Sequence, residues 1–183
     1  MDKIAFNGFN RYSLALHWLM ALLLAAVYGC IELREMYPKG SDPRELLKTW
    51  HFMLGLSVFV LVWLRLLARL VFAKPQIIPA PPVWQRYLAS TMYIAFYLIM
   101  IGMPLGGWLI LSAEGKVVPF YGLELPTLIA PDKDLGHTIE EIHQTVGTVG
   151  YYLIGLHTLA AFYHHYFRGD NTLQNMLPNW LRR

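Results

Sequence analysis

Seven histidines occur in this chain, and four of them, His17, His51, His143 and His157, fall within or at the ends of long apolar runs. An ionisable side chain in such a run is costly to bury and marks a functional position. Imidazole can ligate a metal, hydrogen-bond a polar ligand or carry a proton, and spacing separates these chemistries. His143 and His157 are 14 residues apart, roughly 21 Å along a helix and within about 40° of the same face. One helix thus offers two ligands stacked along its length, too distant to share a centre. A zinc site would gather four ligands on one ion. A haem iron takes one axial ligand on each side of its ring, and one shared helix with two separate partners meets that need twice.

The elements that must position these residues are membrane spans. The 183 residues are 56% hydrophobic and only 15% charged, well beyond the apolar share of a soluble domain. Four runs reach the roughly 20 residues needed to cross a bilayer: about Ser13 to Ile31, Leu46 to Phe72, Tyr87 to Leu111 and Ile142 to Phe167. The expectation is an all-α integral membrane four-helix bundle binding two b-type haems, with residues 1–183 forming a single transmembrane domain. The first run is charge-free from Tyr12 to Ile31, longer than a secretory h-region, and is expected to be a retained span. Cys30 is the single cysteine, which excludes an intrachain disulfide, a multi-cysteine metal site and covalent haem attachment. A formal charge of +3 does not supply the basic face that a nucleic-acid partner would need.

Between the second and third runs, Pro75, Pro79, Pro81 and Pro82 predict an extended linker. Gly115, Pro119, Gly122, Pro126 and Pro131 predict an irregular loop from Ala113 to His137, with at most a short helical turn. Gly102, Pro104, Gly106 and Gly107 predict a kink late in the third span. Charge sets the orientation. The N-terminus, the linker with its flanks, and the C-terminal tail hold Lys3, Arg11, Arg65, Arg69, Lys74, Arg86, Arg168, Arg182 and Arg183 against two acids, Asp2 and Asp170. Of the 15 basic and 12 acidic residues in all, six and ten remain for the other side. The positive-inside rule then puts both termini in the cytoplasm.

In that topology His17 and His157 share the cytoplasmic level, and His51 and His143 share the outer one. Each has a small residue one turn later, Ala21, Gly55, Gly147 and Ala161, which leaves room on the same face for a flat macrocycle. Arg65 and Arg69 come 14 and 18 residues after His51 and return to its face, Arg65 being the better placed to meet a haem propionate through paired hydrogen bonds. His164, seven residues after His157, lies two turns nearer the cytoplasm, where a quinone carbonyl could be met. His165 points about 100° away, and His137, in the outer loop, is assigned no role.

Arg11-Tyr12-Ser13 before Leu16-His17-Trp18, Trp50-His51, Leu64-Arg65-Leu66 with Arg69, Ile77-Ile78-Pro79, Gly155-Leu156-His157, His164-His165-Tyr166-Phe167 and Asp170-Asn171-Thr172-Leu173 together resemble the bacterial cytochrome b561 family, dihaem proteins of the inner membrane. The resemblance extends over nearly the whole chain and is greatest to the stand-alone members that oxidise superoxide. It implies two non-covalent b haems held by His17 with His157 and His51 with His143, oxidation of superoxide to oxygen on the outer side, and passage of the electrons through both haems to ubiquinone, with His164 at the quinone. Arg34, Lys39, Arg44 and Lys48 could form a cationic entrance for the superoxide anion, on a side whose overall count is acidic. The implied protein needs the bilayer, ubiquinone and superoxide but no obligate protein partner. The alternative is an electron conduit for a partner dehydrogenase or hydrogenase, which the histidine pattern alone does not separate from the first reading. A haem-free membrane scaffold or sensor is the third.

Overall fold

The computed structural model of the chain describes residues 8–178 and 181. Four long helices dominate: α1 (Arg11–Leu33), α2 (Asp42–Val71), α3 (Val83–Ala113) and α4 (Lys133–Tyr163). All four are long and apolar enough to cross a membrane. Their surfaces agree with a lipid solvent, since large apolar side chains such as Leu70 (84% exposed), Phe167 (82%) and Tyr152 (76%) point outward, the reverse of a water-soluble bundle.

Each helix begins before the apolar stretch that predicts it, and side-chain caps start α1 and α4. The Asn10 side chain accepts from Tyr12 N at the start of α1. Pro43 occupies the first turn of α2, with Asp42 and Glu45 beside the positive end of the helix dipole. The largest extension is in α4, which begins at Lys133, nine residues before the expected Ile142. Asp132 caps it by accepting from Leu135 N at 3.0 Å, and Gly136 lets the first turn come down on Ala113, whose Cβ would lie 3.1 Å from a Cβ added there. Asp132 N also donates to Ala113 O, so α4 starts docked on the end of α3.

The segment expected to be irregular is therefore largely ordered. Besides the start of α4 it contains a two-stranded antiparallel hairpin, β1 (Val118–Phe120) and β2 (Leu123–Leu125). The glycines and prolines break the helix as their types predict, but three-residue strands leave too short an alternation to be seen. Helix α3 continues through Pro104. At the other end, α4 passes into a five-residue π turn, His164–Arg168, closed by left-handed Gly169, and a short helix α5 (Thr172–Asn175) follows.

Two clusters hold the bundle. Met20, Val58, Val62 and Met100 are buried between α1, α2 and α3, and Leu56, Leu111 and Val118 are buried where the hairpin meets α2 and α3. At the linker end, the extended segment after α2 is tied to the C-terminal segment. Asn171 Oδ1 accepts from Ile78 N at 2.8 Å, Asn171 Nδ2 donates to Gln76 O at 3.1 Å, and Asn171 N donates to Ile78 O. Trp18 Nε1 donates to Met176 O, which fastens α1 to the same platform. Of the charges used for orientation, Asp2, Lys3, Arg182 and Arg183 lie outside the described residues.

Candidate functional site

Helix α4 lies against α3 but stands off from the other two. Among the described residues, no Cα of α4 comes within 8 Å of one in α1 or α2. Side chains span that separation. His17 of α1 faces His157 of α4 with ring centres 6.2 Å apart and planes at 64°. His51 of α2 faces His143 of α4 at 6.3 Å and 70°. The structure thus brings together the same two couples that helix depth groups.

The separations suit a shared metal. Two imidazoles bonded to one ion at about 2 Å each stand roughly 6 Å apart, centre to centre. Direct ring stacking would also allow such distances, so the environment of each ring nitrogen carries more weight. His51 Nδ1 is 3.0 Å from Val27 O. A carbonyl only accepts, so Nδ1 holds the proton and Nε2 presents its lone pair, the tautomer a metal ligand needs. His143 Nδ1 is buried without a hydrogen-bond partner, seated against Gly106 and Gly107 of α3. A Cβ on Gly106 would lie 3.3 Å from Nδ1, and one on Gly107 would lie 3.7 Å from Cε1. The sequence predicts a kink at these glycines; in the structure they admit an imidazole. Their signal was visible, a glycine pair in a charge-free span, but it does not say which neighbour approaches.

Beside His51, a Cβ on Gly55 would meet nothing within 4 Å, and beside His143 one on Gly147 would meet only Met103 Cε at 3.5 Å. Open space on one side of each ring and a helix held apart on the other are what a flat macrocycle requires. Both features fit a haem.

Arg65 Nη2 donates to His17 Nδ1 at 3.0 Å, while Arg65 Nη1 is buried with no partner. A buried guanidinium nitrogen left unpaired is costly, and a carboxylate is its natural complement. Arg69, one turn after Arg65 on the same helix, turns its guanidinium toward α3. Its guanidinium lies over Tyr93 of α3 at 4.6 Å, with Tyr97 at 5.9 Å, so a cation–π contact holds it.

His164 opens the π turn and is bound through Nδ1 to Asp170 Oδ2 at 2.5 Å. The Asp170 side chain is fully buried. Burial by itself would raise its carboxyl, but hydrogen bonds from His164 and Thr172 outweigh that and hold it below the usual carboxylate range. Asp170 was missed as a site residue because it lies beyond the last apolar run. The His-x5-Asp spacing meets only because the π turn and Gly169 reverse the chain. His165 packs on Tyr166 instead, and His137 lies beside Glu141 on the exposed surface.

The four cations of the first loop are not equivalent. Arg44 donates to both carboxylate oxygens of Glu35, at 2.9 and 3.0 Å, and to the carbonyls of Arg34 and Tyr37. Arg34 also pairs with Glu35. Lys39 is exposed, and Lys48 lies 6.0 Å from the Phe52 ring centre, one turn before His51. Among the described residues no cluster of three or more His, Cys, Asp or Glu side chains could hold a free metal ion.

Comparison with known proteins agrees with this architecture. The profile of the family described as prokaryotic cytochrome b561 matches residues 8–179. "Cytochrome b561 homolog 1" of Escherichia coli (strain K12) is 37% identical over 172 residues, covering 94% of this chain and 98% of that protein. "Probable superoxide oxidase CybB" of Yersinia pestis is 35% identical over 172 residues, covering 92% and 97%. "Cytochrome b561 homolog 2" of Escherichia coli (strain K12) is 26% identical over 179 residues, covering 93% of each. With four apolar helices and opposed histidines now described, the whole-length match is decisive: the chain belongs to the prokaryotic cytochrome b561 family, haem-binding membrane proteins of electron transfer.

Proposed function

We propose that this protein is a superoxide:ubiquinone oxidoreductase of the bacterial inner membrane, with the linker end and both termini in the cytoplasm and the hairpin end outside. One superoxide gives up one electron and leaves as oxygen. Two such electrons, with two protons, convert ubiquinone to ubiquinol. The observation that carries the reading is the pair of opposed imidazole couples, 6.2 and 6.3 Å between ring centres, stacked along α4. When bound, two b-type haems supply one-electron redox chemistry at two depths in the bilayer.

The residues of the chain then have distinct tasks. His17 with His157, and His51 with His143, would hold the two haem irons. Val27 O fixes the ring of His51, and Gly106 and Gly107 seat that of His143. Arg65, whose Nη1 lacks a partner, is the propionate partner. At the linker end His164, oriented by Asp170, offers Nε2 to a quinone oxygen. At the hairpin end superoxide needs local positive charge. Arg34 and Arg44 spend theirs largely on Glu35, so Lys48, with Lys39 further out, is the main attraction.

The name of the Yersinia pestis relative supports this reading over a conduit for a partner dehydrogenase or hydrogenase. The test is direct. Purified protein in detergent with a soluble quinone analogue receives pulses of superoxide. Quinone reduction and superoxide decay faster than spontaneous dismutation are expected. A red protein with reducible haem but no acceleration would leave the conduit. A colourless protein would refute both.

A further inference from the structure

We propose that the β1–β2 hairpin is re-entrant: it dips beside α2 into the acyl-chain region of the leaflet at its own end of the bundle, and its exposed tip is covered by lipid chains. The first observation is depth. Helix α2 is charge-free from Thr49 to Leu64, between Lys48 and Arg65, a stretch of roughly 24 Å that spans most of a bilayer core. Ser57 lies at its middle. The hydroxyl of Tyr121, at the hairpin tip, is 2.9 Å from Ser57 Oγ, and Tyr121 N is bonded to Met53 Sδ at 3.4 Å. The Tyr121 ring also meets Trp50 edge-on at 6.3 Å. The tip therefore runs down α2 from Trp50 past Met53, and its phenol ends about halfway along the charge-free run.

The second observation is how polar atoms are paired there. Ser57 Oγ donates to Met53 O at 2.9 Å, so in its contact with Tyr121 it accepts, and the phenol donates. Both hydroxyls of this contact thus have a partner, as water-free surroundings require. In a two-residue hairpin the pair next to the closing pair points its backbone groups outward. That pair is Pro119 with Glu124; proline there removes one outward donor, and the exposed Glu124 carboxylate has to reach up to the headgroup level.

The third observation is local backbone geometry. The turn residues Tyr121 and Gly122 have φ of +48° and +86°, the signs a type I′ turn demands. Asparagine or glycine ordinarily takes the first of these places, and a bulky aromatic there is strained. The strain is offset by what the ring does on α2. Tyr121 is nevertheless 52% exposed and Leu123 64% exposed, which water would penalise and acyl chains do not. On its inner side the hairpin contributes Val118 and Phe120 to the cluster with Leu56, Phe52 and Leu111. It thereby packs on α2 and α3, touching the cluster that includes Phe52, the residue after His51.

The experiment uses full-length, haem-loaded protein in lipid nanodiscs, with Cys30→Ser and a nitroxide on a cysteine at Leu123 or, for reference, at Lys39. At 123, relaxation by oxygen is expected to exceed relaxation by a water-soluble nickel chelate several-fold, with the reverse at 39. Tyr121→Phe and Ser57→Ala should each raise nickel access at 123. Equal nickel access at 123 and 39 would mean an aqueous loop, and exclusion of both reagents at 123 would mean burial against a second chain. Either result overturns the proposal. Hydrogen exchange on the unsubstituted protein needs no variant: amides of residues 118–125 should exchange about tenfold more slowly than those of 37–41, and equal rates would overturn it as well.

Discussion

Arg65 on α2 donates from Nη2 to Nδ1 of His17 on α1, 3.0 Å away. An arginine only donates, so in this arrangement neutral His17 carries its proton on Nε2, the nitrogen left over for a metal. An axial ligand needs that nitrogen free. The proposed haem therefore requires Arg65 to release His17, and the unpaired Nη1 beside it indicates where the guanidinium is drawn. Arg65→Gln removes the cation without much change in volume. Two haems should still bind, but the midpoint potential of the haem near His17 should fall by about 60 mV, equivalent to about 1.4 kcal/mol for one electron. A redox titration of the visible spectrum resolves the two haems and measures it. Unchanged potentials would place Arg65 away from the propionates.

The two couples should be separable. His17→Ala and His157→Ala should each lower haem content from two to about one per chain, and the double variant should lose no more than either alone, because both remove the same couple. His51→Ala or His143→Ala should remove the other haem. Pyridine haemochrome analysis of purified protein gives the ratio. Additive loss within the His17–His157 couple would contradict the pairing.

Much of the geometry of this candidate site is legible in the sequence. Helix depth groups His17 with His157 and His51 with His143, because a continuous helix turns sequence number into height. Arg69 shows the limit of that reasoning. Its position on α2 predicts the Arg65 face, but the Tyr93 ring of α3 captures its guanidinium, and contacts between helices far apart in sequence are not written in the period of either one. Asp132 shows another limit: a single capping side chain starts α4 two turns before its apolar stretch, where hydropathy is silent. Asp170 meets His164 only through a π turn and a left-handed glycine, geometry that a regular 3.6-residue period does not anticipate.

Asp170 also gives a pH dependence. Its carboxyl is held below the usual carboxylate range, chiefly by His164 and Thr172 against the opposing effect of burial. A group with a lowered folded-state value stabilises the fold above its unfolded value of about 3.9 and ceases to do so as pH falls through the folded one. The contact should thus persist throughout pH 5 to 8 and fail only in stronger acid. Asp170→Asn removes the charge at all pH values, weakening a bond of the charge-assisted class by about 1.5–3 kcal/mol. Haem content should stay at two, while the KM for a quinone analogue rises several-fold. An unaltered KM would separate His164 from quinone binding.

The seat of His143 can be tested without touching any ligand. Gly106 lies so near the imidazole that an added Cβ would be 3.3 Å from Nδ1, tighter than ordinary contact, and further methyl groups have no space to enter without moving the ring. Gly106→Ala should be borne by a shift of a few tenths of an ångström and leave two haems with a perturbed spectrum for one. Gly106→Val should push the imidazole off its line with His51 and reduce occupancy of that haem alone, because His17 and His157 lie roughly 21 Å further along the bundle. Ala-scale tolerance together with Val-scale loss is the signature of a steric seat. Equal, full haem content in both variants would mean that the ring is positioned by its iron bond rather than by α3.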